Sequence, residues 1–217
     1  MLTITEQKPY EEIRDSLKYC KNIYLIGCGT CPTSLHTGGK PEVLEMKSKL
    51  EADGKTVAGW MVIPTACDSL TKDALTFDTD QISKADCVLV LSCGFGVQNI
   101  AFYCDKPAVP ALNSLFVGLE KEPGHFLEAC GQCGHCVLAS TTGLCPVMRC
   151  AKGLFNGPCG GSVNGKCEVS DEIPCIWQMI YDRLKAVGQL DRLDEIQPLQ
   201  DWSRSSSGVP GHLEVDL

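Results

Sequence analysis

The chain has 217 residues, of which 44% are hydrophobic and 21% are charged, and its formal net charge is −8. This length and composition are typical of a globular protein with one or two domains. The acidic balance and the 6% aromatic content argue against nucleic-acid binding, which needs concentrated Lys and Arg and a platform for base stacking. No apolar run approaches the ~18 residues of a membrane-spanning helix, so we expect no membrane span.

Fifteen cysteines are the most unusual feature of the composition. The first residues, MLTITEQKPYEEIRDSL, have neither the basic nor the apolar region of a secretory signal, so we expect a cytoplasmic protein. In a reducing compartment, clustered cysteines indicate metal ligands or redox chemistry more often than disulfides. The odd number also leaves at least one thiol unpaired under full oxidation.

The first half of the chain alternates short apolar strands with helical segments. The patterns predict helices over residues 9–19, 41–53, 69–77 and 97–104, and strands over residues 23–27, 57–63, 87–91 and 108–112. This alternation predicts an α/β fold with a Rossmann-like parallel sheet, in a domain of residues 1–115. Residues 112–129 are predicted to form a connector.

Four cysteines follow three of the predicted strands. Cys28 and Cys31 follow the first strand, Cys67 follows the second, and Cys93 follows the third. Because the loops after parallel strands emerge at the same carboxyl edge, we expect these four thiols to meet on one rim. Four thiolates can bind a [4Fe-4S] cluster or a tetrahedral zinc ion, and the Gly-rich turns around these cysteines favour the cluster. Three other cysteines are interpreted as buried hydrophobic side chains: Cys20, Cys87 and Cys104.

The second half of the chain holds eight cysteines in a Gly-rich stretch with few apolar residues. Such a stretch cannot bury enough apolar surface to offset the entropy of ordering it, so we expect metal–thiolate bonds to hold it. It is predicted to form an irregular Cys-rich domain over residues 116–188, closed by an amphipathic helix at 176–187, with a partner-binding tail over residues 189–217. The candidate ligands are Cys130, Cys133, Cys136, Cys145, Cys150, Cys159, Cys167 and Cys175.

The spacing of these cysteines resembles a ferredoxin motif only at its start. Cys130, Cys133 and Cys136 match the opening of the bacterial pattern, but Cys145 comes nine residues after Cys136 instead of four. The eight thiols suffice for two [4Fe-4S] clusters, or for one cluster and one zinc ion. His135 is a possible alternative zinc ligand, although a surface role is favoured. Two basic residues either balance the charge of a metal centre or are solvated: Arg149 and Lys152.

Several strings resemble the methylenetetrahydrofolate reductase C-terminal domain family. They are GCGTC, CDSL, LSCGFGVQ, VPALN, CGQCGHC, GLCPVMRCAKGLFNGPCGG, GKCEV and DWSRS. More closely, the chain resembles the stand-alone iron-sulfur small subunit (MetV type) of the two-subunit reductase of anaerobic one-carbon metabolism. The resemblance covers nearly the whole length and is most specific in RCAKGLFNGPCGG. The family pattern includes the twelve candidate ligands and leaves out the three cysteines interpreted as buried.

This resemblance implies a division of labour between two subunits. In the family, a separate TIM-barrel flavoprotein reduces 5,10-methylenetetrahydrofolate to 5-methyltetrahydrofolate at its flavin (FMN), and the small subunit carries the metal centres and binds that flavoprotein. The present chain is too short to contain a ~250-residue barrel in addition to its own domains, so we expect no catalytic site in it. It is expected to pass electrons to the partner's flavin from an external donor, itself an iron-sulfur or flavin protein.

Two other functions stay open. If zinc fills the thiolate sites, the protein is a structural adaptor, because zinc has no redox chemistry. The Cys28/Cys31 pair also has the spacing of a thiol-disulfide enzyme. Such enzymes place the pair at the start of a helix, and Pro32 together with Thr37-Gly-Gly39 argues against a helix there.

Overall fold

The computed structural model describes residues 2–202 and divides the chain into two compact units, Met1–Phe126 and Leu127–Leu217. Within the described residues, no helix is long and apolar enough to cross a membrane. The predicted tail is described only up to residue 202, and it contains a 3₁₀ helix at Leu190–Leu193. Residues 203–217, the rest of that tail, lie outside the described part of the chain.

A parallel sheet forms the centre of the first unit, after an initial strand β1 (Leu2–Gln7). Its strands lie in the order β3-β2-β4-β5, and neighbouring strands are parallel. Central strands β2 and β4 are buried almost throughout, as expected of apolar runs that are covered on both faces. The predicted α/β fold is therefore confirmed. The bounds are β2 (Asn22–Cys28), β3 (Thr56–Ile63), β4 (Cys87–Leu91) and β5 (Ala108–Pro110).

Helices cover both faces of this sheet, and their bounds are α1 (Tyr10–Ser16), α2 (Cys31–Ser34), α3 (Lys40–Ala52), α4 (Thr71–Thr76), α5 (Thr79–Lys84) and α6 (Gly94–Tyr103). Successive residues of β2 point to opposite faces. Leu25 packs in one apolar cluster with Val43 of α3, and Ile26 packs in a second cluster with Leu75 of α4 and Ile100 of α6. The core of the unit therefore consists of two apolar layers on either side of the sheet.

A second sheet in the first unit was not predicted. Strand β6 (Leu112–Glu122) runs antiparallel to β1, and β7 (His125–Glu128) is the third strand, so the predicted connector over residues 112–129 is wrong. Leu115 and Leu119 are both exposed, which obscures the alternation that would mark a half-buried strand. The partner strand β1 also lies at the other end of the unit, where no local pattern reveals it.

The second unit has little regular structure and a small core. The predicted amphipathic helix is confirmed as α8 (Ile176–Ala186), in which Ile180 and Leu184 are fully buried, whereas Val187 follows its last residue and is 58% exposed. Leu144, Ile176 and Trp177 join the same apolar cluster. The remaining elements are short, and their bounds are α7 (Pro146–Arg149), β8 (Lys166–Cys167) and β9 (Ser170–Pro174).

A two-residue turn at Asn164 and Gly165 sets the position of strand β8. Both residues have positive φ, 52° and 76°, which is the signature of a type I′ turn. The flanking residues Val163 and Lys166 exchange backbone hydrogen bonds of 3.1 and 2.9 Å. The Gly165 carbonyl accepts the N–H of Cys175 at 2.8 Å, so the turn also fixes the backbone at that cysteine.

The loop between α2 and α3 approaches β4 so closely that position 38 requires glycine. A Cβ on Gly38 would lie 2.1 Å from the carbonyl oxygen of Leu91. We expect Gly38→Ala to lower the free energy of unfolding by about 1–3 kcal/mol, because the backbone must shift to make room. Gly94→Ala is the matched control, since its Cβ would lie 3.7 Å from Ser114 Oγ. Equal urea midpoints for the two variants would contradict this prediction.

The buried phenol of Tyr24 donates a hydrogen bond to Asp78 Oδ2. Burial, this hydrogen bond and the carboxylate charge raise the pKa of Tyr24 well above its ordinary value of 10.0. The raised pKa means that the folded state favours the protonated phenol. The stabilisation that the protonated Tyr24 side chain gives the folded state is therefore complete below about pH 10 and declines above it.

Tyr24→Phe should therefore lose about 1 kcal/mol of stability at neutral pH and show a weaker decline at alkaline pH. Urea unfolding at neutral pH and above about pH 10 measures both effects. Tyr19→Phe is the matched control, because Tyr19 is 86% exposed. The same alkaline decline in wild type and Tyr24→Phe would exclude this role for Tyr24.

Candidate metal centres

The four predicted rim cysteines lie at the carboxyl edge of the parallel sheet. Cys28 ends β2, Cys31 begins α2, Cys67 lies in the loop after β3, and Cys93 lies between β4 and α6. Because β2 lies between β3 and β4, the three loops that carry these cysteines are neighbours. Residues up to 65 positions apart in sequence thus come to one edge of the sheet.

The rim thiols are close enough to affect one another electrostatically. Burial raises the pKa of the Cys67 thiol, and the charges of Cys93, Cys28 and Cys31 raise it further. Cys28 and Cys93 are buried, Cys31 is half-buried and Cys67 is exposed. The rim therefore has a side enclosed by protein and a side open to solvent.

Two of the rim sulfurs have hydrogen-bonding neighbours that the sequence analysis missed. The backbone N–H of Thr3 donates to Cys31 Sγ at 3.4 Å, and Thr30 Oγ1 lies 3.2 Å from Cys28 Sγ. Hydrogen bonds to sulfur favour the charged thiolate and tune any metal that it binds. Thr30 lies within the Cys-x-x-Cys segment, so its contact with a cysteine could have been predicted from the sequence. The contact of Thr3 could not have been predicted, because strand β1, which brings Thr3 to the rim, was itself not predicted.

The helix at Cys31 corrects the sequence analysis. Pro32 argued against a helix at this point, but α2 begins at Cys31 with the proline in its first turn, where a missing N–H costs no hydrogen bond. The helix is only four residues long. All fifteen cysteines lie within the described residues and all are free thiols, so Cys28 and Cys31 are not joined by a disulfide.

A buried hydroxyl group lies directly beside the rim. Ser92, which precedes Cys93, is 1% exposed, and its Oγ has no hydrogen-bond partner among the described residues. Buried hydroxyls in proteins nearly always have a partner. The hydroxyl lies against α6, since a Cβ added at Gly96 would be 2.3 Å from Ser92 Oγ.

The eight cysteines of the second unit line two separate cavities, four in each. The larger cavity, about 260 Å³, is lined by Cys130, Cys133, Cys136 and Cys145. The smaller cavity, about 20 Å³, is lined by Cys150, Cys159, Cys167 and Cys175. This division of the thiols was not predictable from their spacing.

His135 also lines the larger cavity, but its ring nitrogen has another partner. His135 Nδ1 accepts a hydrogen bond from the backbone N–H of Asp201 at 3.4 Å. The His135 carbonyl accepts hydrogen bonds from Cys133 Sγ and Gln200 Nε2, at 3.6 and 3.3 Å. These contacts position the loop that carries Cys133 and Cys136, and thiols remain the better donors for a soft metal.

The three cysteines interpreted as buried side chains do lie in the core of the first unit. Cys87 is fully buried in β4, and burial followed by a hydrogen bond with Cys20 raises the pKa of the Cys87 thiol. Cys20 and Cys104 are half-buried and pack against the two apolar clusters. A neutral thiol in such a place acts as a small hydrophobic side chain.

The donor chemistry of the three groups suits thiolate-bound metal. Within residues 2–202, no three His, Cys, Asp or Glu side chains are arranged, as they stand, to hold a metal ion. Each group nevertheless offers four sulfurs, which is the ligand set of a [4Fe-4S] cluster or of tetrahedral zinc. The rim is the group whose loops a parallel sheet with its own apolar core brings to one edge.

Metal binding at the rim is expected to weaken as the pH falls. Thiols bind metals as thiolates, and the raised pKa of Cys67 means that metal must displace a proton there. Titration of the metal-free protein with Co²⁺ should give weaker sulfur-to-cobalt absorbance at about pH 6.5 than at about pH 8.5. Cys67→Ser should lose part of the absorbance and Cys104→Ser should lose none. Uptake that is independent of pH and of Cys67 would contradict the assignment.

Comparison with known proteins matches the part of the chain that holds the eight cysteines of the second unit. A sequence model of the family described as methylene-tetrahydrofolate reductase C terminal matches residues 109–203. The rim cysteines lie outside this segment. No curated protein and no solved structure matches the chain. The family match therefore supports a relation of this chain, through residues 109–203, to methylenetetrahydrofolate reductase.

Proposed function

We propose that the protein is an iron-sulfur electron-transfer subunit of a methylenetetrahydrofolate reductase complex, of the stand-alone small-subunit type. The observation that carries this proposal is that Cys28, Cys31, Cys67 and Cys93 lie on neighbouring loops at one edge of the parallel sheet. Four thiolates in Gly-rich turns at such an edge suit a [4Fe-4S] cluster. The family match to residues 109–203 supports the link to the reductase.

The rim residues would bind the cluster and adjust its chemistry. A bound [4Fe-4S] cluster supplies one-electron redox chemistry. Buried Cys28 and Cys93 keep water away from one side, and the Thr3 N–H and Thr30 hydroxyl lie within hydrogen-bonding distance of ligand sulfurs. Hydrogen bonds and burial are the means by which a protein sets the potential of such a centre. The exposed Cys67 leaves a side that a redox partner can approach.

Exposed apolar side chains near the rim support contact with a protein partner. Leu70 is 65% exposed and follows Cys67 by three residues, and Phe95 is 59% exposed and follows Cys93 by two. Large apolar side chains are enriched at the centres of protein interfaces. We propose that this part of the first unit meets a redox partner, either the flavoprotein catalytic subunit or the electron donor.

The electron count of the reductase reaction fits a relay that moves one electron at a time. Reduction of 5,10-methylenetetrahydrofolate to 5-methyltetrahydrofolate consumes two electrons and two protons. In this proposal the folate chemistry takes place at the FMN of the separate TIM-barrel subunit. Two electrons reach that flavin one after the other from an iron-sulfur or flavin protein, by way of this chain.

A zinc-stapled adaptor is the second candidate function. The observation in its favour is that Cys150, Cys159, Cys167 and Cys175 line one cavity, since four sulfurs are a ligand set of structural zinc. A purely structural role does not explain why four cysteines lie at the rim. The parallel-sheet unit is already stabilised by two apolar layers and needs no metal to hold it together. The thiol-disulfide alternative depends on Cys28 and Cys31 alone and gives no role to Cys67 and Cys93.

Replacing Cys31 separates these functions. In protein purified without oxygen, Cys31→Ser should lose about four iron and four sulfide per chain, because one ligand of a cubane is gone. Cys104→Ser is the matched control and should keep the wild-type content. Iron and acid-labile sulfide assays measure both, and reduction of the flavoprotein partner should slow in Cys31→Ser alone. Unchanged iron and sulfide in Cys31→Ser, or no iron in the wild type, would refute the relay.

A further inference from the structure

A cavity of about 300 Å³ lies in the first unit, among α4, α5 and the loop that joins α6 to β5. Three of its lining side chains are apolar, and they belong to or pack against the apolar layer on that face of the sheet: Leu75, Ile82 and Cys104. The volume equals that of on the order of ten water molecules, at the lower end of the range for small-molecule sites. The cavity can therefore accommodate a small organic molecule.

The cavity is separate from the rim of cysteines. Helix α6 begins directly after Cys93, at the carboxyl edge of the sheet, and ends at Tyr103, which lines the cavity. The ten residues of α6 span about 15 Å, so the cavity lies toward the opposite, amino edge of the sheet. None of the four rim cysteines lines it. A ligand in this cavity would therefore leave the rim free.

Two lysine side chains give the cavity a positive charge. Lys106 is half-buried, and its Nζ donates to the Ser83 carbonyl at 2.8 Å, which holds the ammonium group in place. Lys72 also lines the cavity, and its Nζ has no hydrogen bond and no ion pair with any described residue. Among the described lining residues, Asp105 is the one carboxylate. Two positive charges against one negative, in a chain of net charge −8, favour an anion here.

The hydrogen bonds within the lining leave mainly cationic donors for a ligand. Three hydroxyls at the cavity already donate to backbone carbonyls, at 2.6, 3.1 and 2.9 Å: those of Thr76, Thr79 and Ser83. A lysine ammonium has three N–H donors, and Lys106 uses one of them on the protein. The two ammonium groups can therefore donate charge-assisted hydrogen bonds to a carboxylate, which are stronger than those between neutral groups.

We propose that this cavity binds a small organic acid with one anionic group and an apolar body, of the size and chemistry of a medium-chain carboxylate. The apolar body packs on Leu75 and Ile82, and the anionic group accepts hydrogen bonds from Lys72 and Lys106. This site does not depend on the metal centres or on the electron relay, because the first unit has its own apolar core.

Calorimetric titration of the whole chain, purified without oxygen, tests the proposal with octanoate as the probe. Octanoate should bind at one site with a dissociation constant of about 1 mM or lower. The uncharged 1-octanol should bind at least about tenfold more weakly, because it lacks the anionic group. Acetate should show no measurable binding, because it lacks the apolar body.

Variants of the lining place the binding in this cavity. Lys72→Gln and Lys106→Gln should each weaken octanoate binding about three- to tenfold, through loss of a charge-assisted hydrogen bond. Thr79→Trp should abolish binding, because the indole ring occupies the cavity. Lys121→Gln is the matched control, since this exposed lysine of β6 does not line the cavity. Urea midpoints establish that each variant is folded.

Three results would overturn the inference. The first is a wild-type chain that does not bind octanoate. The second is the same octanoate affinity in wild type, both lysine variants and Thr79→Trp, which would place the binding elsewhere. The third is 1-octanol that binds as tightly as octanoate, which would leave the lysines without a role.

Discussion

A thiolate-bound centre requires four sulfurs to meet around one point, and in the proposed account the chain would meet this requirement in two physically different ways. In the first unit, a rigid parallel sheet delivers cysteines that are distant in sequence to a common edge. In the second unit, short turns bring together cysteines that are close in sequence. Most other features of the chain serve one of these two arrangements.

The first unit has a complete hydrophobic core without any metal. Fully buried residues of β2 and β4 are covered on one face by α1 and α3 and on the other by α4, α5 and α6. Burial of this apolar surface fixes the strand ends, so the loops that carry Cys28, Cys67 and Cys93 are placed before any ligand binds. A preformed edge of this kind can hold its thiols in a fixed geometry, which suits a centre that changes oxidation state.

The second unit depends on its ligands to a much greater degree. Its buried apolar cluster contains five residues, Leu144 and four from α8. The remaining residues from 130 to 175 form turns and a two-stranded hairpin, and conformational entropy strongly opposes their ordering. The proposed metal–thiolate bonds would offset this entropy, and binding and folding would then be coupled here.

The sequence reveals the parallel sheet because its signals are local. Runs such as Cys87–Leu91 are apolar, short and bounded by turn residues, and they form strands as predicted. The antiparallel sheet was missed because β1 and β6 lie at opposite ends of the first unit and β6 exposes Leu115 and Leu119. Strand pairing over such a separation leaves no mark in a sequence window.

The candidate sites could likewise be predicted only in part. Topology alone places Cys28, Cys31, Cys67 and Cys93 on one rim, because parallel strands share a carboxyl edge. The contact of Thr3 with Cys31 depends on the missed strand β1. The division of the other eight thiols depends on where α7 lies between Cys145 and Cys150, and spacing does not reveal this.

The most direct test of the relay is a reductive titration of the anaerobically purified chain, followed by electron paramagnetic resonance. The account predicts that reduction produces the signal of at least one [4Fe-4S]⁺ centre, bound by the rim cysteines. A fully metal-loaded protein that gives no paramagnetic signal at any potential would contradict the account. It would leave a zinc-bound scaffold in place of an electron carrier.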